Sequence, residues 1–184
     1  MKVELPLNDE KVEKLRSGET VLLTGTMYVG RDSAHKKLVE AMDRGENLPL
    51  ELKGATIYYM GPSPARPGQA IGSAGPTTSG RMDSYTPRLL EAGLKGMIGK
   101  GTRTQAVKDS IRANRGVYFA AIGGAGALIS KAIKKSKVIA YGELGPEALL
   151  EVYVEDFPAV VVNDMHGGDL YLFAKEKYRT HSQA

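Results

Sequence analysis

TVLLTGTMYVG at 20–30, followed almost at once by SAHKKLVEAMDRG at 33–45, is the stretch on which the fold turns. The first half is rich in β-branched residues and reads as a strand, bent at Gly25. The second half repeats apolar residues at helical spacing, through Ala34, Leu38 and Ala41/Met42, and Gly45 stops it. Asp32 or Ser33 stands where a cap for that helix is needed. A strand feeding directly into a helix is the repeating unit of an α/β domain.

The same alternation continues on both sides. Upstream, residues 8–17 predict a short helix capped by Asn8 or Asp9 and ended by Gly18. Downstream, ATIYYM (55–60) is a strand, and GPSPARPGQAIGSAGPTTSGR (61–81) is a glycine- and proline-dense loop in which QAIGSA can extend as a strand. A loop of that length inside a compact domain is usually functional or disordered, and its position between strong elements favours function. Thr77 or Thr78 then caps a helix from about Ser79 to Tyr85, and Thr86-Pro87 reads as a second cap with proline at the first helical position. LKGMIGKG (94–101) is a short strand and TQAVKDSIRANRG (104–116) an amphipathic helix. VYFAAI (117–122) is apolar throughout, as a central strand would be. A helix over 123–135, a strand over 137–144, two strands at 149–157 and 159–164 parted by Pro158, and a glycine turn into HGGDLYLF complete the sheet. The expected organisation is a single domain over 1–174 with a polar tail over 175–184.

Composition narrows the function. At 184 residues, with 42% hydrophobic and 25% charged residues, the chain can bury a real core. No apolar run approaches the ~18 residues that span a bilayer. MKVELPLNDEKVEKL has acids where a signal peptide would be apolar, so the expected location is cytoplasmic. There is no cysteine, which excludes disulfides, a thiol nucleophile and a self-contained thiolate-held cluster. The net charge of +4 is unevenly spread. From Leu52 to Lys108 eight bases (Lys53, Arg66, Arg81, Arg88, Lys95, Lys100, Arg103, Lys108) meet only Asp83 and Glu91, leaving +6. A local positive field of this kind favours an anionic ligand, although a solvated basic face has the same composition.

Five short motifs are candidates for chemistry. In GPTTSGRMDSY (75–85), two threonines stand at a loop-to-helix junction whose backbone N–H groups could bind an oxyanion, and Arg81 offers a planar fork one turn later. GRDSAH (30–35) places Arg31 at a strand end, just ahead of a helix start. Asp32 reads there as a cap and His35 as a surface or partly packed residue. GKGTR (99–103) sets Lys100 between glycines after a strand, which allows close backbone approach or simply a turn. IGGAGALI (122–129) resembles the start of a dinucleotide site, but Ile129 stands where the third glycine belongs, so tight helix–strand packing is the preferred reading. A stand-alone anion- or nucleotide-binding module is the alternative it supports. NDMHGGD (163–169) reads as a polar turn rather than a metal site, and no metal ligands are assigned. Aromatic content of 7%, without aromatics interleaved in the basic segment, argues against nucleic acid as a partner.

GRDSAHKKL (30–38), GPSPARPGQAIGSAGPTTSGRMDSYTPRLLEAGLKGMIGKG (61–101), YFAAIGGAGALISKAIK (118–134) and YGELGPEALLEVYVEDFPAVVVNDMHGGDLY (141–171) together resemble the β subunit, or C-terminal region, of class I fumarases. L-tartrate dehydratase β subunits are similar as well. The resemblance runs from about Pro6 to Tyr171, and GPTTSGRMDSY is its most specific part. It implies a swivelling β/β/α domain, a mixed sheet with flanking helices. It implies a hydro-lyase of the tricarboxylic acid cycle that hydrates fumarate to L-malate and is active only with a cysteine-bearing α subunit. That partner would hold a 4Fe-4S iron–sulfur cluster through three cysteines, which agrees with their absence here. The assembly would be a hetero-oligomer, and the isolated chain could form homo-oligomers. By resemblance Arg31, Arg81 and Lys100 bind the dicarboxylate, and Thr77 is the catalytic candidate for proton transfer at C3, or else only a carboxylate ligand.

Overall fold

The structure is a computed structural model and describes residues 1–65, 67–121 and 126–179. Among these residues the strands are β1 (Lys2–Glu4), β2 (Thr20–Val29), β3 (Thr56–Tyr58), β4 (Gly96–Gly99), β5 (Val117–Ala121), β6 (Ile133–Ala140) and β7 (Leu149–Asn163). The helices are α1 (Asp9–Glu13), α2 (Asp32–Asp43), α3 (Thr86–Glu91), α4 (Gln105–Ala113), α5 (Gly126–Ala132) and α6 (Leu170–Arg179). The fold class is α/β, with a mixed sheet and flanking helices, as the alternation of elements predicts. The order along the sheet is β1-β2-β3-β4-β5-β7-β6, and β2 also pairs with β7. Strands β2, β3, β4, β5 and β7 therefore close into a ring, with β1 and β6 outside it as edges. Pairs from β1 through β5 are parallel, and β7 runs antiparallel to β2, β5 and β6.

Two cores result from this closure. Tyr58, Ile98, Phe119 and Val161 join Leu23, Met27, Val152 and Phe157 inside the ring. Their chain neighbours Ile57, Tyr59, Met97, Tyr118 and Val162 face outward and pack with Leu38 of α2, Leu89 and Leu90 of α3, and Val107 and Ile111 of α4. Successive strand residues point to opposite faces. A strand buried on both faces must be apolar at every position, which is why VYFAAI reads as it does.

Several local expectations are corrected. Pro158 does not divide two strands: β7 runs unbroken through it. β6 pairs β7 only as far as Val154 and β5 takes over at Ala159, so on that side Pro158 sits where no N–H is required. β6 begins at Ile133, earlier than expected, and 142–147 is a 3-10 turn rather than the end of a strand. QAIGSA forms no strand. HGGDLYLF leads into α6 rather than a closing strand, because the Asp169 side chain accepts from the N–H groups of Tyr171 and Leu172 and caps a helix. That helix continues past Lys175 to Arg179, so the first part of the expected tail is helical. Strand β1 has too few residues to register as a signal. The bend expected at Gly25 is present as a register shift between β2 and β7.

Candidate functional site

Because β2 to β5 are parallel, their carboxyl ends share one edge, the edge at which ligands of open α/β sheets bind. Arg31 lies two residues past β2, Gly61 three past β3, and Lys100 directly after β4. The segment 76–79 crosses this edge. Met60 bridges to Pro76, the Thr77 N–H donates to the Tyr59 carbonyl at 2.8 Å, and the Lys100 N–H donates to the Thr77 carbonyl at 3.3 Å. The Ser79 N–H in turn donates to the Lys100 carbonyl at 2.9 Å. Thr77 and Lys100 are thereby held side by side through their main chains. The same bonds occupy the Thr77 amide, one of the two threonine N–H groups expected to bind an oxyanion, and the Ser79 amide, while none of them engages the Thr78 N–H. Neither threonine hydroxyl acts as a helix cap: Ser79–Met82 is a single 3-10 turn without a side-chain cap.

Arg31 and Arg81, 50 positions apart, meet at Asp32. Arg81 Nε donates to Asp32 Oδ1 at 2.9 Å, and Arg81 Nη2 lies 2.7 Å from Oδ2. Arg31 Nη2 is 3.9 Å from the same carboxylate. Asp32 is thus not the helix cap the sequence predicts. The cap position belongs to Arg31, with no side-chain cap bond, and the Asp32 carboxylate reaches the arginines instead. Arg31 is underused. Its Nε is enclosed, stands 3.4 Å from Glu147 Oε1, and makes no hydrogen bond. Gly61 leaves the room it occupies: a Cβ there would lie 2.7 Å from Arg31 Nη1. Glu147 also accepts from Ser33 Oγ at 2.6 Å, which ties the 142–147 turn to the start of α2.

Beneath this edge lies a buried polar layer. Ser79 Oγ and Tyr118 Oη are 2.9 Å apart, and Tyr118 Oη donates to the Gly101 carbonyl. Arg103, with its side chain fully enclosed, pairs through Nε with Asp83 Oδ1 at 2.7 Å and through Nη2 with Thr86 Oγ1 at 2.8 Å. Thr86 gives its own proton to the Met82 carbonyl, so it is a buried linker rather than a helix cap. Asp83 Oδ2 accepts the Thr104 N–H at 2.7 Å. Burial works against the Arg103 charge, but the neighbouring Tyr59 and Asp83 raise its pKa on balance. His35 is completely buried, more so than the surface or partly packed position expected of it. Its ring meets Tyr59 edge-on at 5.2 Å, its Nδ1 lies 2.8 Å from the Arg31 carbonyl, and burial lowers its pKa to about 4. His35 is therefore a neutral packing residue at neutral pH. Arg103, Asp83 and Asp32 were not singled out from sequence as site-forming; the one available signal was the abundance of polar residues in GRD and RMDSYT.

The basic middle third is largely neutralised in space. Arg81 pairs with Asp32, Arg88 with Asp43, Lys95 with Asp9, Arg103 with Asp83 and Lys108 with Asp169. Lys100, by contrast, is exposed and has no carboxylate partner among the described residues. In the 163–169 turn, Asp164 accepts from the N–H groups of Ser17, His166 and Gly168, as a polar turn requires. Among the described residues no group of three His, Cys, Asp or Glu could hold a metal, and with no cysteine in the chain its residues do not fit a resident iron–sulfur cluster. No helix among them is long and apolar enough to cross a membrane. Residues 122–125, which carry Gly123 and Gly124 of the nucleotide-site alternative, lie outside the described residues, and Gly126 opens α5.

Comparison with known proteins bears on the same chain. Fumarate hydratase class I, aerobic, of Salmonella typhimurium is 47% identical over 151 residues, covering 81% of this chain and 26% of that protein. Fumarate hydratase 2 of Leishmania major is 43% identical over 177 residues, or 93% of this chain and 31% of that protein. A Methanocaldococcus jannaschii protein provisionally named L(+)-tartrate dehydratase subunit beta is 34% identical over 171 residues, covering 90% of this chain and 88% of its own length. The chain thus spans about a quarter to a third of the fumarate hydratases and nearly all of the separate subunit. The profile of the fumarase C-terminus matches residues 1–174, and the chain belongs to that family.

Proposed function

We propose that this chain is the β subunit of a cytoplasmic iron–sulfur hydro-lyase that interconverts fumarate and L-malate, active only with a cysteine-bearing α partner that holds the 4Fe-4S cluster. The observation that carries the reading is the pair of incompletely satisfied cations at one sheet edge. Lys100 has no carboxylate partner among the described residues, and Arg31 Nε is enclosed without a hydrogen bond. Arg81 joins Arg31 through Asp32, and Thr77 adjoins Lys100. A dicarboxylate gives Lys100 the anionic partner it lacks and offers acceptors to the guanidinium N–H groups that Asp32 and Glu147 leave without hydrogen bonds.

In this reading Arg31, Arg81 and Lys100 hold the two carboxylates. Hydration across the double bond builds negative charge on one of them in a carbanion-like state. Fixed cations stabilise that state more than the ground state, which is how they accelerate the reaction. Thr77 moves the proton at C3, its hydroxyl made more acidic by neighbouring cations. Activation of the leaving hydroxyl falls to the partner, since this chain has no thiolate. L-Tartrate dehydration uses the same chemistry, and the likeness to a chain of subunit length favours keeping it as a second reading.

The test is reconstitution. The purified chain alone should show no hydratase activity, and assembly with a cysteine-bearing partner should produce it with fumarate in preference to tartrate. Arg81→Ala should lower kcat/KM of that assembly by about 100-fold or more without preventing assembly. Turnover by the chain alone, or an Arg81→Ala assembly as active as the wild type, would overturn the reading.

A further inference from the structure

We infer that Asp32 is a positioning residue: it fixes the guanidinium of Arg81, and through the same carboxylate that of Arg31, as one ligand-facing unit. The inference rests on the proposed role of the two arginines.

The contact is one hydrogen bond backed by an ion pair. Asp32 Oδ1 accepts from Arg81 Nε at 2.9 Å, and Oδ2, which is enclosed and accepts no hydrogen bond, stands 2.7 Å from Nη2. The bond fixes the Nε edge of the planar fork and the ion pair holds the fork against the carboxylate. Arg81 makes no other hydrogen bond among the described residues, so its remaining N–H groups are left for a ligand. The Arg81 side chain is 52% exposed, and an exposed ion pair contributes little to stability. Folding alone therefore gives little reason for an acid at this place. Simple electrostatics gives a reason against it, because a carboxylate between two cations weakens their attraction for a dianion. Orientation is the gain that offsets this loss. The location serves it: Asp32 sits in the first turn of α2, where the helix dipole favours its charge, while Arg81 arrives on the 3-10 turn after the long loop. Asp32 joins the two segments across 49 residues of sequence.

The opposed signs make a decisive test with Asp32→Asn. In the isolated chain, the Arg81 Nε–H resonance, followed by nitrogen-15 NMR, should exchange with water severalfold faster in the variant, while the resonance of Arg103 stays unchanged. Unaltered Arg81 exchange overturns the contact itself. In the assembled enzyme, kcat/KM for L-malate should fall roughly 10- to 100-fold, the scale of a misplaced binding group, despite the more positive site. In an Arg81→Ala background the same substitution should cost much less, only what it loosens at Arg31. Tighter binding of L-malate by Asp32→Asn would make Asp32 a counter-ion only. An equal loss in both backgrounds, accompanied by a lower Tm, would make it a structural residue only. If the wild-type assembly has no hydratase activity, the functional reading fails, and the exchange measurement still decides whether Asp32 orients Arg81.

Discussion

Asp83→Asn is the substitution whose effect the structure defines most closely. The Arg103 side chain is 0% exposed and that of Asp83 8%. Asp83 accepts two short bonds, from Arg103 Nε and from the Thr104 N–H, each at 2.7 Å. An asparagine of the same shape keeps one acceptor and turns an amide NH2 toward the other donor. The guanidinium is then left as an uncompensated buried charge. Breaking such a pair from one side costs about 3–5 kcal/mol. A retained bond places this case near 3 kcal/mol, and a chain of this size loses roughly 2–4 °C of Tm per kcal/mol, so Tm should fall by about 6–12 °C. Arg103→Met added to Asp83→Asn removes the stranded charge, and the double variant should regain at least part of the loss. Thermal unfolding followed by far-ultraviolet circular dichroism, with urea titration alongside, measures both. A single variant melting within about 2 °C of the wild type, or a double variant showing the sum of two losses, would refute the reasoning.

Thr77→Val should abolish exchange of the C3 hydrogen of L-malate with solvent deuterium in the assembled enzyme; exchange at the wild-type rate would reduce Thr77 to a carboxylate ligand. Gly61→Ala places a Cβ 2.7 Å from Arg31 Nη1, the mobile end of a long side chain. It should therefore lower kcat/KM while moving Tm little, and a full-strength Gly61→Ala enzyme would remove Arg31 from the site. His35 gives a pH signature. Its folded pKa of about 4 lies below the ordinary 6.5, so the unfolded chain takes up the proton first as the pH falls. The stability it contributes is complete above about pH 6.5 and drains away toward about pH 4, up to roughly 3 kcal/mol. His35→Phe should flatten that limb of a urea-midpoint series; an unchanged slope would mean that His35 titrates as an exposed residue.

The α/β class is legible in the sequence because it rests on local periodicity, which β2 and α2 show within one window. What the sequence hides is long-range. Pro158 looks like a strand break until β7 is seen to change neighbours there. The ring closure is a pairing of β2 with β7, and no local pattern encodes it. The candidate residues Arg31, Thr77, Arg81 and Lys100 are legible because each sits at a glycine-marked strand end or loop. Asp32 and His35 mislead for a shared reason: a polar residue in the first turn of a helix usually caps it or faces water. Only the tertiary structure shows one gripping an arginine from another segment and the other buried against Tyr59. The net +6 of residues 52–108 is correct as a count, but it says nothing about the acids that come to meet it.

Those acids have a consequence for the life of the chain before it is folded. Lys95, Arg81 and Arg88 are neutralised by Asp9, Asp32 and Asp43, all of which leave the ribosome first, whereas Lys108 must wait for Asp169. An intermediate that has lost its amino-terminal third, by proteolysis or late initiation, would present this stretch as a bare polycation, adhesive toward ribosomal RNA and acidic surfaces. The order along the chain thus sets a counter-charge ahead of Arg81, Arg88 and Lys95, while Lys108 depends on an acid that follows it.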